Sequence, residues 1–199
     1  MDWNDFYRTT DGRDVRPLFT KGLTAARDSG LAPGRAIDVG FGDGTESVAL
    51  LRTGWSVTAI DPTPSAAAIL RGKVPPGVGD RLDIVTGRVD DVDLPVFDFL
   101  YAGYALSFVH PSRFANVWET IRERMRPGGI LAVNVFGVRD TWASDPEMTF
   151  MDRDAALALA EGLEVIGIDE EDQDGPSAVG PKHWHVFDIV ARRPDAAGA

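Results

Sequence analysis

The 199-residue chain contains no cysteine. Disulfides, Cys-ligated zinc, iron–sulfur clusters and thiol nucleophiles are therefore excluded. Positive charge is scarce, with 20 Lys and Arg against 31 Asp and Glu and a formal net charge of −11. Phosphate neutralisation needs clustered Lys and Arg, so this balance argues against nucleic acid and against anionic membrane surfaces. No apolar run approaches the ~18 residues of a membrane span. The N-terminus, MDWNDFYRTT, lacks the basic and apolar regions of a signal peptide. The expectation is a cytoplasmic protein with no membrane partner.

What is present is a core-forming composition, 44% hydrophobic, with 21 Gly and 13 Pro as punctuation. One domain is expected over residues 1–199, with 1–30 as an N-terminal helix and lid and 192–199 as a frayed tail. Short apolar runs alternate with amphipathic stretches, the pattern of βα units and a mostly parallel sheet. A first helix is read from Asp14 to about Arg27. Strands are read at Arg35–Val39, Ser56–Ile60, Leu82–Thr86, Phe97–Ala102, Ile130–Phe136, Leu163–Asp169 and about Trp184–Ala191. Helices fall at about Thr45–Leu51, Ser65–Arg71, Ser112–Met125 and Asp152–Ala160. The segment RPGG before Ile130 reads as a tight turn, and the acidic run Asp169–Asp174 as a solvated hairpin loop. That loop makes the last strand antiparallel to its predecessor.

The segment AIDVGFGDGT puts Gly40, Gly42 and Gly44 between a strand and a helix. Glycine is needed there for positive φ or for close approach of backbone to a ligand. In an open α/β sheet such a turn lies at the ligand crevice. A dinucleotide fingerprint would read G-x-G-x-x-G, but the third Gly comes one residue early. Asp38, just before the turn, would repel a pyrophosphate and suits a cationic ligand. A nicotinamide-dependent oxidoreductase is accordingly the weakest of the functional alternatives.

The D-x-G-x-G-x-G pattern, with Asp61 closing the next strand, resembles class I S-adenosylmethionine-dependent methyltransferases. The resemblance runs through DWNDFY, RPLF, IDVGFGDGTES, GWSVTAIDPTP, FLYAGYALSF, RPGGILAVNVFG, RDTWASDPEMTF and GPKHWHVF. It is strongest to small bacterial members near the tellurite-resistance and thiopurine types. It implies a three-layer Rossmann-like fold, with helices on both faces of a seven-stranded, mostly parallel sheet and an antiparallel last strand. It also implies S-adenosylmethionine as cofactor and S-adenosylhomocysteine as product. The implied cofactor residues are Asp38, Gly40, Phe41, Gly42 and Gly44 at the glycine turn, and Asp61 and Pro62 at the ribose. Val89 and Asp90 stand at the adenine, with Asp91 the neighbouring alternative, and Ala102 and the lid residue Tyr7 complete the set.

The loop after the fourth strand faces the methyl group in this family. Many relatives read Ser-Leu-Pro-Phe-Cys-Pro there, whereas this chain reads Ala105-Leu106-Ser107-Phe108-Val109-His110-Pro111, which leaves the substrate open. The loop also lacks the Asn/Asp-Pro-Pro-Tyr/Phe motif, which implies a small-molecule O, N, S or chalcogen acceptor rather than a base or protein amide. Tyr104, His110, His183 and His185 are the candidate acceptor-site residues. Each has a structural reading beside it: a packed aromatic, a helix-entry residue and a hairpin edge. His183 and His185 share one strand face, but no companion ligand is evident nearby in sequence and no metal is expected. A cofactor-binding protein without methyl transfer, such as a cyclase or regulator, is the main alternative. Monomer and homodimer are both open.

Overall fold

The computed structural model describes residues 12–177 and 180–195. The aromatic segment with Tyr7 lies outside them. Helix α1 spans Pro17–Asp28, α2 Thr45–Arg52, α3 Pro64–Lys73, α4 Pro111–Arg124 and α5 Arg153–Ala158. Strands are β1 Arg35–Val39, β2 Ser56–Asp61, β3 Leu82–Thr86, β4 Phe97–Ala102, β5 Met125–Gly137, β6 Phe150–Met151, β7 Glu164–Ser177 and β8 Gly180–Arg192. The order across the sheet is β3-β2-β1-β4-β5-β8-β7, with β6 paired to β5 beside this path. Strands β1 to β5 run parallel, and β8 is antiparallel to both β5 and β7. This is the expected doubly wound sheet with an antiparallel end.

Alternation along the central strands supplies a core to each face. Leu100 and Ala102 of β4 pack with Phe114, Trp118 and Ile121 of α4, while Phe99 and Tyr101 pack with Phe19 of α1 and Leu51 of α2. Gly22 lets α1 approach the sheet closely, since a Cβ there would lie 2.5 Å from Ala132 Cβ.

Several boundaries differ from the sequence reading, each for a physical reason. Helix α1 begins at Pro17 rather than Asp14. Arg16 is extended (φ −69°, ψ 149°), the conformation favoured before proline, and Pro17 takes the first helical position. The same substitution of Pro for the expected serine start applies at Pro64 and Pro111. The RPGG segment does not terminate β5 but bulges from within it. A step of two residues on β4, Phe97 to Phe99, faces a step of five on β5, Met125 to Ile130. Gly128, at φ +76°, donates its N–H to the Arg193 carbonyl at 2.9 Å, and Arg193 N–H returns to Gly129 O at 2.9 Å. Arg193 is therefore tied to the sheet rather than frayed, while 196–199 of the expected tail lie outside the described residues. Strand β6 was not expected, because two residues carry no periodicity.

The largest correction concerns Asp169–Asp174. These residues are strand, not loop. Strands β7 and β8 pair from Glu164↔Arg192 to Ser177↔Gly180, interrupted only by a bulge at Ile166. Their carboxylates are met by side chains from distant elements: Lys21 on Asp169 at 2.8 Å, Arg139 on Glu170 at 2.8 Å and Asp172 at 2.5 Å, and Arg153 on Glu170. Because β5 accompanies β8 only as far as Val186, the rest of the ribbon projects beyond the sheet edge.

Candidate active site

A cavity of about 750 Å³ lies at the carboxyl ends of the parallel strands and under the projecting ribbon. This is the crevice that the topology of an open α/β sheet creates. Its near wall is the turn after β1. Gly40 adopts φ +69° and donates its N–H to Ile60 O at 2.7 Å, which folds the turn against β2. Asp61, at the end of β2, accepts from Gly42 N at 3.0 Å and from Thr63 N at 2.8 Å. Two backbone donors thus hold one carboxylate in a fixed orientation beside the glycine turn. Phe41, Pro62, Val89 and Asp90 line the same end. Asp90, rather than Asp91, faces the cavity: its side chain is 2% exposed and is held by Arg88 at 3.1 Å and Arg113 at 2.8 Å, whereas Asp91 is 53% exposed.

Asp38, Gly44 and Ala102 lie beneath this wall, not on it. Gly44 caps α2 at φ +78° and abuts Leu70, where a Cβ would come within 2.6 Å. Ala102 is wholly buried. Asp38 accepts from Ser47 Oγ at 2.6 Å, and its Oδ1 has no hydrogen-bond partner among the described residues. Burial, reinforced by the Glu46 charge, pushes the Asp38 carboxyl up to about 8.

Five residues outside the set expected from the sequence, Arg13, Arg16, Asp43, Glu46 and Tyr101, complete the near wall. Arg13 grips Glu46 through both guanidinium nitrogens at 2.6 Å and reaches Asp43 at 3.1 Å. Burial opposes the Arg13 charge, but Glu46 and Asp43 prevail and hold its pKa above the usual guanidinium value. Arg16 lies over the Tyr104 ring, 4.7 Å from its centre. The only signal in the sequence was an arginine pair, RDVR, just before a helix; nothing local indicated where those side chains would reach. Arg13 Nε and Tyr101 Oη, both on residues lining the cavity, have no hydrogen-bond partner among the described residues.

The far end of the cavity is aromatic. Tyr104, Phe108, Phe136, Trp142 and Trp184 line it, drawn from the loop after β4, from β5, from the loop after β5 and from β8. Tyr104 adopts φ +56°, a conformation rarely taken by a residue with a side chain, and donates its N–H to Asn134 Oδ1 at 2.6 Å. Burial raises its phenol pKa.

The three histidines are not on this cavity wall. His110 caps α4, accepting from Ser112 N at 3.1 Å through Nδ1, and lines an adjoining depression that shares Arg88, Asp90, Phe108 and Trp142 with the cavity. His183 lies on the ribbon with Asp172 and Asp174, each 2.8 Å away, and these carboxylates raise its pKa. His185 is fully buried. Its Nδ1 accepts from Arg139 N at 3.0 Å, which assigns the proton to Nε2 and its hydrogen bond to Glu170 at 3.0 Å. The ribbon does bring acidic companions to His185 that the sequence did not reveal, since one ligand atom each of Glu170, Asp172 and His185 lies within 4.8 Å of the others. Arg139 and Arg153 already neutralise those carboxylates.

Comparison with known proteins agrees with this geometry. Residues 36–129 match the family described as "Methyltransferase domain". The chain is 29% identical over 103 residues to the mitochondrial ubiquinone biosynthesis O-methyltransferase of Schizosaccharomyces pombe, covering 50% of this chain and 37% of that protein. It thus spans well under half of that relative's length. Among solved structures, TehB from Haemophilus influenzae superposes with a TM-score of 0.73 at 16% identity, over 96% of this chain and 67% of that one. The 1,6-didemethyltoxoflavin-N1-methyltransferase of Burkholderia thailandensis, solved with bound 1,6-didemethyltoxoflavin and S-adenosylhomocysteine, gives 0.62 at 21% identity, over 97% and 87%.

Proposed function

We propose that this chain, which has the fold of the class I S-adenosylmethionine-dependent methyltransferases, binds that cofactor in the cavity and transfers its methyl group to a small molecule. The observation that carries this reading is the Asp61 carboxylate, fixed by the N–H groups of Gly42 and Thr63 at the edge of the glycine turn. It is placed to accept the ribose hydroxyls. Phe41 and Pro62 flank it, and Val89 and Asp90 form the adenine end. Arg13, Asp43 and Glu46 line the cavity beside the glycine turn, and their mixed charges suit the zwitterionic methionine end. The bound sulfonium would supply an electrophilic methyl carbon, and the acceptor atom would displace the thioether in line.

The chain's contribution is alignment and exclusion of water, worth on the order of 7–11 kcal/mol in well-oriented systems. No histidine of the described residues lines the cavity, and the Tyr104 phenol is held protonated at neutral pH. Glu171 and Asp174 of the ribbon line the cavity as well, so carboxylates are the candidate bases for an O or N acceptor that must lose a proton, while a thiolate or chalcogen oxyanion needs none. Among the described residues no helix is long and apolar enough to cross a membrane.

Calorimetry with S-adenosylmethionine, S-adenosylhomocysteine and NADH tests the cofactor. Saturable binding of the first two and none of NADH is expected, with stabilisation of about 2.7 kcal/mol at 100 times Kd. Binding of NADH alone would overturn the proposal. Binding of S-adenosylmethionine without release of S-adenosylhomocysteine over any acceptor would point instead to a non-transferring member of the same fold.

A further inference from the structure

We infer that the acceptor is a planar aromatic or heteroaromatic molecule whose ring packs against Tyr104, Trp142 and Trp184; this rests on the methyl-transfer reading above. The far end of the cavity brings five rings together, beside the ribbon residues Glu171, Gln173 and Asp174. Trp184 meets Tyr104 with centroids 5.6 Å apart at 69°, and Phe136 meets Trp142 at 5.7 Å and 67°. Rings set nearly perpendicular to one another present both faces and edges to a guest, the two arrangements in which a further aromatic ring packs well.

An aromatic box of this kind would ordinarily suit a cation. Here the cation is already supplied by the protein. The Lys182 ammonium lies 3.4 Å from the centre of the Trp142 ring, 4.0 Å from Trp184 and 4.5 Å from Phe136. Its side chain is 1% exposed and paired with Asp140 at 2.7 Å. Of the two ribbon carboxylates on the lining, Asp174 is engaged by His183 and Glu171 by Gln173; the box's attraction for positive charge is met by Lys182, and an ammonium ligand would meet a like charge across the rings. A compact inorganic oxyanion fares no better. Arg13 is committed to Glu46 and Asp43. Of the other guanidinium groups lining the cavity, Arg16 is stacked on Tyr104 and Arg88 is held by Asp90 and the Phe108 carbonyl, so a small anion would find these groups engaged and leave the aromatic surface unused. A flat, uncharged or weakly charged ring uses what the wall offers.

The wall is also rigid. Trp184 Nε1 donates to Pro176 O at 3.1 Å, and Gly175 brings the ribbon backbone onto the indole, with a Cβ there only 3.2 Å from Trp184 Cδ1. The ribbon fixes Trp184 from one side while the Lys182–Asp140 pair holds Trp142 and Trp184 from another. A preorganised flat surface loses little entropy on binding a flat guest.

The experiment is a calorimetric titration of the protein saturated with S-adenosylhomocysteine. The panel pairs catechol, an aromatic thiol and a bicyclic heteroaromatic amine with aliphatic alcohols, thiols and amines, and adds tellurite and choline. The aromatic members are expected to bind about tenfold or more tightly than their aliphatic counterparts. Trp184→Ala should abolish that preference, and Trp184→Phe should retain part of it. Affinity for S-adenosylhomocysteine should stay within about twofold in both variants, which separates loss of the wall from loss of the fold. Equal or tighter binding of the aliphatic members, tellurite or choline by the wild-type protein would overturn the inference while leaving methyl transfer intact. Failure of S-adenosylhomocysteine itself to bind would overturn the cofactor reading first.

Discussion

Lys182 and Asp140 form an ion pair at 2.7 Å with side chains 1% and 0% exposed. Burial lowers the Lys182 pKa and the Asp140 carboxylate works against that shift. Asp140 does more than balance charge, since it also accepts from Trp142 N at 3.0 Å and His185 N at 3.3 Å. Removing one member of a buried pair strands the other, at a cost of about 3–5 kcal/mol. Lys182→Met should therefore lose stability in that range in urea unfolding. The double change Lys182→Met, Asp140→Asn should recover a substantial part of it, because the stranded charge is gone while the amide still accepts from backbone. Equal instability of the single and double variants would show that the pair is not the source.

Asp38 predicts an unusual pH dependence. Burial holds its folded-state pKa at about 8, well above the ordinary carboxyl value of 3.8. Below about pH 4 both folded and unfolded states carry the proton and the group is neutral to stability. As pH rises towards 8 the unfolded chain loses that proton while the folded one keeps it. Folding then takes up a proton and the ligand-free protein loses stability across this window. Asp38→Asn removes the penalty and keeps an acceptor for Ser47. It should stabilise the ligand-free protein at pH 8 by about 1–3 kcal/mol and have little effect near pH 4. Melting curves of both proteins across this range check the sign, and a stabilisation that grows on acidification would contradict it.

The sheet was legible in the sequence because β1, β3 and β4 are short apolar runs bounded by turn residues, and the structure gives them the expected bounds. The near wall of the site was legible for the same reason: Gly40, Gly42 and Asp61 are fixed by local chain geometry. What could not be read were groupings made by long-range pairing. Asp169–Asp174 looked like a solvated loop because its arginine and lysine partners come from α1, the loop after β5 and α5. The histidines looked available because a sequence does not reveal that His185 points into a layer sealed by Arg139 and Glu170. Arg13 and Arg16 were overlooked because their role depends on where α1 docks.

The cofactor reading can be tested at Asp61 without dismantling the turn. Asp61→Asn keeps an oxygen for one of the two backbone donors, Gly42 N or Thr63 N, and removes the negative charge. Charge-assisted hydrogen bonds contribute about 1.5–3 kcal/mol, so affinity for S-adenosylhomocysteine should fall about 10- to 100-fold. The binding enthalpy, measured by calorimetry, should become less favourable with it. An unchanged affinity would remove Asp61 from the site.

Gly40 separates two demands made of the same turn. Its φ of +69° disfavours any side chain, and a Cβ at this position would lie 2.6 Å from Ala105 Cβ on the loop after β4. The left-handed conformation alone costs about 1–2 kcal/mol for a residue with a side chain. Relief of the clash would push two cavity-lining loops apart. Gly40→Ala should therefore lower both stability and affinity for S-adenosylhomocysteine. Adding Ala105→Gly removes the contact but not the backbone strain, so affinity should recover more than stability does. Parallel melting and calorimetric measurements on the single and double variants distinguish the two terms. Recovery of stability with no return of affinity would mean that the Gly40–Ala105 spacing does not shape the cofactor end of the cavity.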